Sequence, residues 1–205
     1  MTIEKDRAWG RTLAAGEAAT AVVVSSDREA RAVVEAARRT GGVVPLVALR
    51  GGDLWRTVGG PGASAAAREP MALPCDVGSI LVDGRQHWFV AHLVARRSWW
   101  RGRVVAAMNA EFLGRYDVAP RGHPNDGRLD VIDVPDSLGL ADRWKAWRRL
   151  PQGTHVSHPD VRPRPTPAVQ FAFERPVGVW LDGVRVGEAR ALSIRVEPDA
   201  LTVIV

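Results

Sequence analysis

The sequence changes its hydrophobic period once, across a stretch rich in glycine, alanine and proline, and this confines the chain to a two-part architecture. Ahead of that stretch, TAVVV (20–24) is a short apolar strand run. Ser26-Asp27-Arg28-Glu29 follows with capping-box spacing, in which the serine hydroxyl and the glutamate three residues on satisfy orphan helix donors. Ala30, Val33, Val34 and Ala37 repeat at helical spacing until Gly41-Gly42 supplies the stop. VVPLVAL (43–49) is a second apolar strand run. Strand, helix and strand in so short a span predict a βαβ unit with parallel strands.

The stretch VGGPGASAAAREP (58–70) is read as a linker. Beyond it the apolar residues alternate: Val169, Phe171 and Phe173; Leu192, Ile194 and Val196; Leu201, Val203 and Val205. ILV-Asp83-Gly84-RQHWFVAHLVA predicts a hairpin on a two-residue turn. RVVAAMNAEF, RLDVIDV, AVQFAFE, VGVWL and VRV add strands, as expected for a β-sandwich or barrel. One helix, roughly 137–149, interrupts them, with Leu140, Trp144 and Trp147 on a face and Arg143, Lys145, Arg148 and Arg149 around it. The expected fold class is therefore α+β: a small parallel α/β piece with its linker over residues 1–70, then an antiparallel β-sandwich over 71–205. Two strands alone leave sheet edges and an apolar face uncovered, so the small piece must close on the sandwich or on another subunit, a homodimer being one route.

Composition narrows the function classes. The 205 residues are 46% apolar and 25% charged, which excludes wholesale disorder. No window approaches 18 uninterrupted apolar residues, and the N-terminal MTIEKDRAWG has no apolar stretch, so neither a membrane span nor a signal peptide is expected. The single cysteine, Cys75, excludes an intrachain disulfide framework and a multi-cysteine zinc site, and fits a cytoplasmic setting; it reads as a packed residue. A formal charge of +5 and a sequence pI near 10.5 favour phosphates, nucleotides or anionic lipid surfaces as partners. Arginine is scattered without a dense basic run, so nucleic acid is disfavoured.

Several residues carry alternative readings. Asp53, after Gly51-Gly52 at a strand end, is either a phosphate- or magnesium-facing carboxylate or a turn residue. Asp182-Gly183, between VGVWL and VRV, suits a hairpin turn, as Asp126-Gly127 suits a turn ahead of a strand. His155 and His158 lack a third ligand nearby and read as solvated loop histidines, and His123 as a brace of the 120–127 loop. Of the eight tryptophans, most are expected in the core. Trp99-Trp100 is the exception: flanked by Arg96, Arg97, Arg101 and Arg103, it suits an anionic membrane interface or a phosphate-bearing ligand.

Certain segments in a fixed order resemble the bacterial diacylglycerol kinase family, which shares a superfamily with sphingosine and NAD kinases. They are Leu49-Arg50-Gly51-Gly52-Asp53, Asn109-Ala110-Glu111-Phe112-Leu113-Gly114, Val118-Ala119-Pro120-Arg121, His123-Pro124-Asn125-Asp126-Gly127-Arg128-Leu129-Asp130-Val131, Gly153-Thr154-His155, Leu181-Asp182-Gly183 and Pro198-Asp199-Ala200-Leu201. The resemblance spans residues 20–60 loosely and 72–205 closely. It implies an α/β domain holding Mg2+ and ATP, with Gly51, Gly52 and Asp53 at the nucleotide loop, and a sandwich on the lipid side of the cleft. Asp182 matches the general base on the lipid hydroxyl; Asp126 and, through its carbonyl, Leu129 match positions near a structural magnesium. Asp182→Asn would then abolish transfer while leaving the fold intact.

The departures lie at the nucleotide. The family's Gly-Thr after Gly-Gly-Asp is deleted, so that the chain resumes at Leu54, Gly62 to Pro70 stands where a Gly-Thr-Gly-Asn-Asp-Phe segment is expected, and no Asn-Pro-x-Ser-Gly loop precedes residue 20. Val184 stands where the family has glutamate. Two functions follow as expectations: ATP-dependent phosphorylation of a lipid hydroxyl, or a catalytically silent module that binds a lipid, another phosphate-bearing ligand or a partner. Either places the chain in the cytoplasm, with a possible peripheral contact to an anionic membrane.

Overall fold

The structure, a computed structural model, describes residues 9–14, 16–60, 70–82, 84–157 and 161–205. Strands β1 (Arg11–Thr12), β2 (Val22–Val24) and β3 (Val47–Leu49) and helices α1 (Asp27–Thr40) and α2 (Asp53–Thr57) precede the linker, most of which lies outside the described residues. Ser26 caps α1 by accepting the Glu29 N–H at 3.3 Å, while the Glu29 carboxylate reaches past it to the Ser25 N–H at 2.7 Å. Gly41 ends the helix at φ 68°, where a side chain would be strained. β2 and β3 are parallel, as the βαβ pattern predicts.

The sandwich follows: β4 (Met71–Val82), β5 (Arg85–Phe89), β6 (His92–Arg96), β7 (Val104–Met108), β8 (Phe112–Leu113), β9 (Tyr116–Asp117), β10 (Leu129–Val134), α3 (Leu140–Arg149), β11 (Arg164–Thr166), β12 (Ala168–Leu181) and β13 (Val184–Ile204). The fold is α+β with a mostly antiparallel sheet. The strand order is β1-β4-β13-β12-β6-β7-β10-β11. β13 is long enough to pair with β12 over its first half and with β4 over its second, shifting register between Glu197 and Leu201, where Asp199 adopts φ 51°. Period-two alternation then fills the core: Leu93, Ala95, Val105, Ala107, Leu129, Val131, Val179 and Leu181 meet Ile80, Phe89, Leu192 and Ile194.

The small piece closes on the sandwich within the same chain. β3 pairs in parallel with the end of β13, Val47 opposite Val203. Val24, Ala30, Val34 and Leu49 share one apolar cluster with Leu73, Cys75, Val77 and Leu201. Arg31, buried on α1, donates through Nη1 to the Leu181 carbonyl at 2.7 Å. Arg31→Met should therefore lower stability by about 2 kcal/mol, because a buried carbonyl loses its partner. An unchanged urea midpoint would remove that bond from the account.

Two expectations need correction. The run RQHWFVAHLVA is not one hairpin arm; it divides into β5, which pairs with β4, and β6, which pairs with β7 and β12. The break at Val90-Ala91 is held from outside the run, by the Asp182 carboxylate. On α3, Leu140, Trp144 and Trp147 share a face as expected, and that face is exposed, while Arg143 is the buried residue of the helix. Lastly, of the tryptophans only Trp88 is fully in the core among the described residues, while Trp99, Trp100, Trp144 and Trp147 face solvent. The β4–β5 pairing does close around 83–84, with Val82 opposite Arg85, although Asp83 itself lies outside the described residues.

Candidate functional site

The strands that fill the core with one face carry apolar residues on the other as well. Val94, Ala106, Met108 and Ile132 alternate with the core set and form a second apolar surface with Val118 and Ala119. Between this surface and α3 lies a cleft of about 880 Å3. Its bed is Val94, Val104, Ala106, Ile132, Val134 and Trp180, and Leu113, Val118, Leu138 and Leu150 add to its walls. β6 sets its direction: His92 stands at one end, Val94 in the middle and Arg96 at the other, about 13 Å away at strand rise.

At the His92 end four ionisable groups meet. β2 and β3 are parallel neighbours, and each is followed by an acid at the first position of a helix, Asp27 and Asp53, so both carboxylates emerge at one sheet edge. His92 Nε2 lies 3.1 Å from Asp53 Oδ2, which also accepts the Gly114 N–H at 2.7 Å. Burial alone would raise the Asp53 carboxyl, but the His92 and Gly114 bonds and the charges of His92 and Arg56 outweigh it and hold the group low. Burial likewise works against a charged His92, yet the Asp53 bond and the surrounding carboxylates raise it. Both shifts favour the imidazolium–carboxylate form of the pair.

Asp27 does something else. Its Oδ2 accepts the Asp53 N–H at 2.6 Å and its Oδ1 the Leu54 N–H at 3.1 Å. Those are the backbone donors that follow Gly51-Gly52, where the family resemblance places a nucleotide phosphate. The chain's own carboxylate fills the position, and a Cβ at Gly52 would collide with it. The loop as built does not fit ATP. Burial, followed by the charge of Asp182, raises the Asp27 carboxyl to about 6.

Asp182 sits in the turn between β12 and β13, with φ 47° followed by Gly183 at φ 79°, as a two-residue hairpin turn requires. Its side chain points back into the protein. Oδ1 accepts the N–H groups of Ala91 and His92 at 2.9 and 3.1 Å, and Oδ2 that of Val90 at 3.1 Å. These three bonds are what break the β5–β6 run and aim His92. Asp182 also lines the cleft, and burial pushes its carboxyl up.

Asp126 and Leu129 lie elsewhere, in the loop before β10. Asp126 Oδ1 accepts the Arg128 N–H at 2.9 Å, and the Leu129 side chain is core. The loop is organised by Asp76, which the sequence reading passed over: its carboxylate accepts the Gly127 N–H at 2.7 Å and the Asp199 N–H at 3.0 Å. Burial and the charge of Asp126 push Asp76 and Asp130 up to about 6 each. Of these acids Asp76 is buried and Asp126 and Asp130 are half-buried, and their ligand atoms are not gathered into a metal-sized cluster. Among the described residues the three ligand types closest together are instead Asp27, Asp53 and His92, with donor atoms within 4.8 Å. His155 departs from the solvated-loop reading: it is buried and bonds the Val118 carbonyl through Nε2 at 3.2 Å, while His158 lies outside the described residues. His123 accepts the Asn125 N–H, the bracing role expected of it.

Residues 73–205 match the family model described as the YegS C-terminal NAD kinase beta sandwich-like domain. The chain belongs to this family. The sandwich is thus the family's own, and the diacylglycerol kinase resemblance is borne out. Among solved structures, the chain is similar to a putative diacylglycerol kinase from Bacillus anthracis str. Sterne, with a TM-score of 0.62 at 15% identity over 90% of this chain and 77% of that one. Two further structures of diacylglycerol kinases from the same organism give TM-scores of 0.56 and 0.55 at 16% and 17% identity. They cover 78% of this chain and 68% and 66% of theirs. At such identities they show a shared fold. No curated protein matches the chain.

Asp27 and His92 were invisible as site residues because one read as the interior of a capping box and the other as a strand position. A usable signal existed for Asp27: two predicted parallel strands each run into an acid at a helix start, which puts ligands at one sheet edge.

Proposed function

We propose that the chain binds a single hydroxyl-bearing lipid in the cleft and does so without a nucleotide. The observation that carries this reading is the cleft itself: an apolar bed about 13 Å long that ends on a buried carboxylate–imidazole cluster. Acyl chains fit the bed, and a hydroxyl at the inner end can donate to a carboxylate of Asp53, Asp27 or Asp182. An anionic headgroup would meet those carboxylates, so the cluster selects against phosphorylated lipids. Asp27 on the Asp53 and Leu54 N–H groups supports nucleotide independence.

The kinase reading, with Asp182 as base toward a lipid hydroxyl and Mg2+ and ATP as cofactors, is favoured by the family and by the place of Asp182 in the cleft. It requires Asp27 to leave the loop. Dioctanoylglycerol titrated without nucleotide should give a saturable change in tryptophan emission, because Trp180 lines the bed. Mg-ATP should bind no better than about millimolar, about 4 kcal/mol. Micromolar Mg-ATP affinity with label transferred to the lipid would overturn the proposal in favour of the kinase; no saturable lipid binding would overturn both.

A further inference from the structure

The cleft's outer end opens among tryptophans. Trp99 and Trp100 lie in the loop between β6 and β7, and Trp144 and Trp147 lie on α3. They are 46%, 40%, 49% and 39% exposed, and Leu140, one turn before Trp144, is 53% exposed. Exposure of this kind at five neighbouring large side chains is not the scattered surface apolarity of a monomer. Trp100 meets Trp147 edge-on at 6.0 Å, which joins the two elements into one face.

The face is rigid. Arg143, buried beneath it, donates from Nε to the Leu138 carbonyl at 2.9 Å, from Nη1 to Trp99 at 3.3 Å and from Nη2 to Gly102 and Pro135 at 2.7 and 2.8 Å. One guanidinium thus staples α3 to the loop. Above it, cations interleave with the rings: Arg96 stacks between Trp99 and Trp180 at 4.3 and 4.4 Å, and Arg148 covers Trp144 at 4.7 Å. Arg97, Arg101 and Arg149 are exposed around the rim. The nearby acids are Asp142, paired with Lys145, Glu188, paired with Arg185, and Asp136, so the surplus is positive.

From this arrangement we infer that the Trp99, Trp100, Trp144 and Trp147 face docks on an anionic phospholipid bilayer and delivers the cleft mouth to it. Amphipathic rings sit at the headgroup level while arginines around them meet lipid phosphates. A bilayer is the occupant that explains both features at once, because an apolar cleft opening inside such a face lets a lipid pass without crossing water. The inference rests on the lipid reading of the cleft, but the two fail separately. Leu140, Trp144, Arg97 and Arg101 belong to the face and not to the cleft lining.

The test is co-sedimentation of the full chain with vesicles of phosphatidylcholine alone or with about 30% phosphatidylglycerol. Wild type should partition onto the anionic vesicles, with a blue shift of tryptophan emission, at least about tenfold more than onto neutral ones. Leu140→Ala/Trp144→Ala should weaken partition about tenfold on the anionic vesicles. Arg97→Glu/Arg101→Glu should do so at low salt, and raising NaCl to about 1 M should remove the difference. All variants should keep their circular dichroism and their binding of monomeric dioctanoylglycerol; loss of the latter alone would strike the cleft reading and leave docking intact. Equal partition onto both vesicle types, or no effect of either double variant, overturns the docking. So does sedimentation equilibrium showing a wild-type dimer that Leu140→Ala/Trp144→Ala converts to monomer, since the face would then belong to a second copy.

Discussion

Asp182→Ala should lower the stability of the folded chain by about 5 kcal/mol, a loss comparable with the whole stability of many domains. The substitution strips three buried N–H groups, those of Val90, Ala91 and His92, of their acceptor. It also places alanine at φ 47°, which costs about 1 kcal/mol more than it does for Asp or Asn. Relief of a buried carboxylate offsets part of this, since burial already pushes the Asp182 carboxyl up. Asp182→Asn is the milder probe. It tolerates the turn and keeps one carbonyl acceptor, but turns its NH2 toward a donor, for an expected loss of about 2 kcal/mol and a fall in Tm of roughly 5 °C. Thermal scans of both variants decide it. A melting point for Asp182→Asn indistinguishable from wild type would show that the three bonds carry no weight and would restore the simpler expectation that this residue matters for chemistry alone.

That expectation is what the sequence supports, and the three bonds made by Asp182 show where local reading stops. The α1 cap at Ser26, the Gly41 stop and the Asp182-Gly183 turn were legible because each is decided by residues within a few positions of one another, and the parallel pairing of β2 with β3 because a strand–helix–strand pattern implies it. The same turn's function as the clamp of the β5–β6 break was not legible: Asp182 reaches residues about ninety positions away. Arg31 reaching the Leu181 carbonyl and Asp76 holding the Gly127 and Asp199 N–H groups are likewise long-range bonds that no period or propensity encodes. α3 is a different case. Its stripe of Leu140, Trp144 and Trp147 has the spacing of a core-facing helix, but Arg143 takes the buried position because four carbonyls at the ends of neighbouring segments need a donor there. The family resemblance marked Asp53 and Asp182, and left out Asp27 and His92, which complete the cluster.

Asp27→Ala should lower stability by about 3 kcal/mol at pH 4.5 and by about 1 kcal/mol at pH 7.5. Two opposed terms set these figures. The carboxylate satisfies the Asp53 and Leu54 N–H groups, whose loss costs stability at any pH. It is also buried near Asp182, which raises its folded carboxyl to about 6 against about 3.9 in the unfolded chain. An acid whose folded pKa is raised contributes stability that is fully present below the unfolded value and is lost as pH rises through the folded one. The wild type should therefore lose on the order of 2 kcal/mol between pH 4 and pH 7 that the alanine variant does not lose. The Asp53–His92 pair and Asp182 remain in both proteins, and because the Asp27 charge also raises His92, its removal adds to the difference in the same direction. Urea unfolding at the two pH values measures it. A gap that widens with pH would mean that Asp27 is stabilised as an anion, held by its two N–H donors more strongly than burial opposes it. In that case the chain's own carboxylate would be the better occupant of the Gly51-Gly52-Asp53 loop at neutral pH, and displacement by a nucleotide phosphate would be harder still.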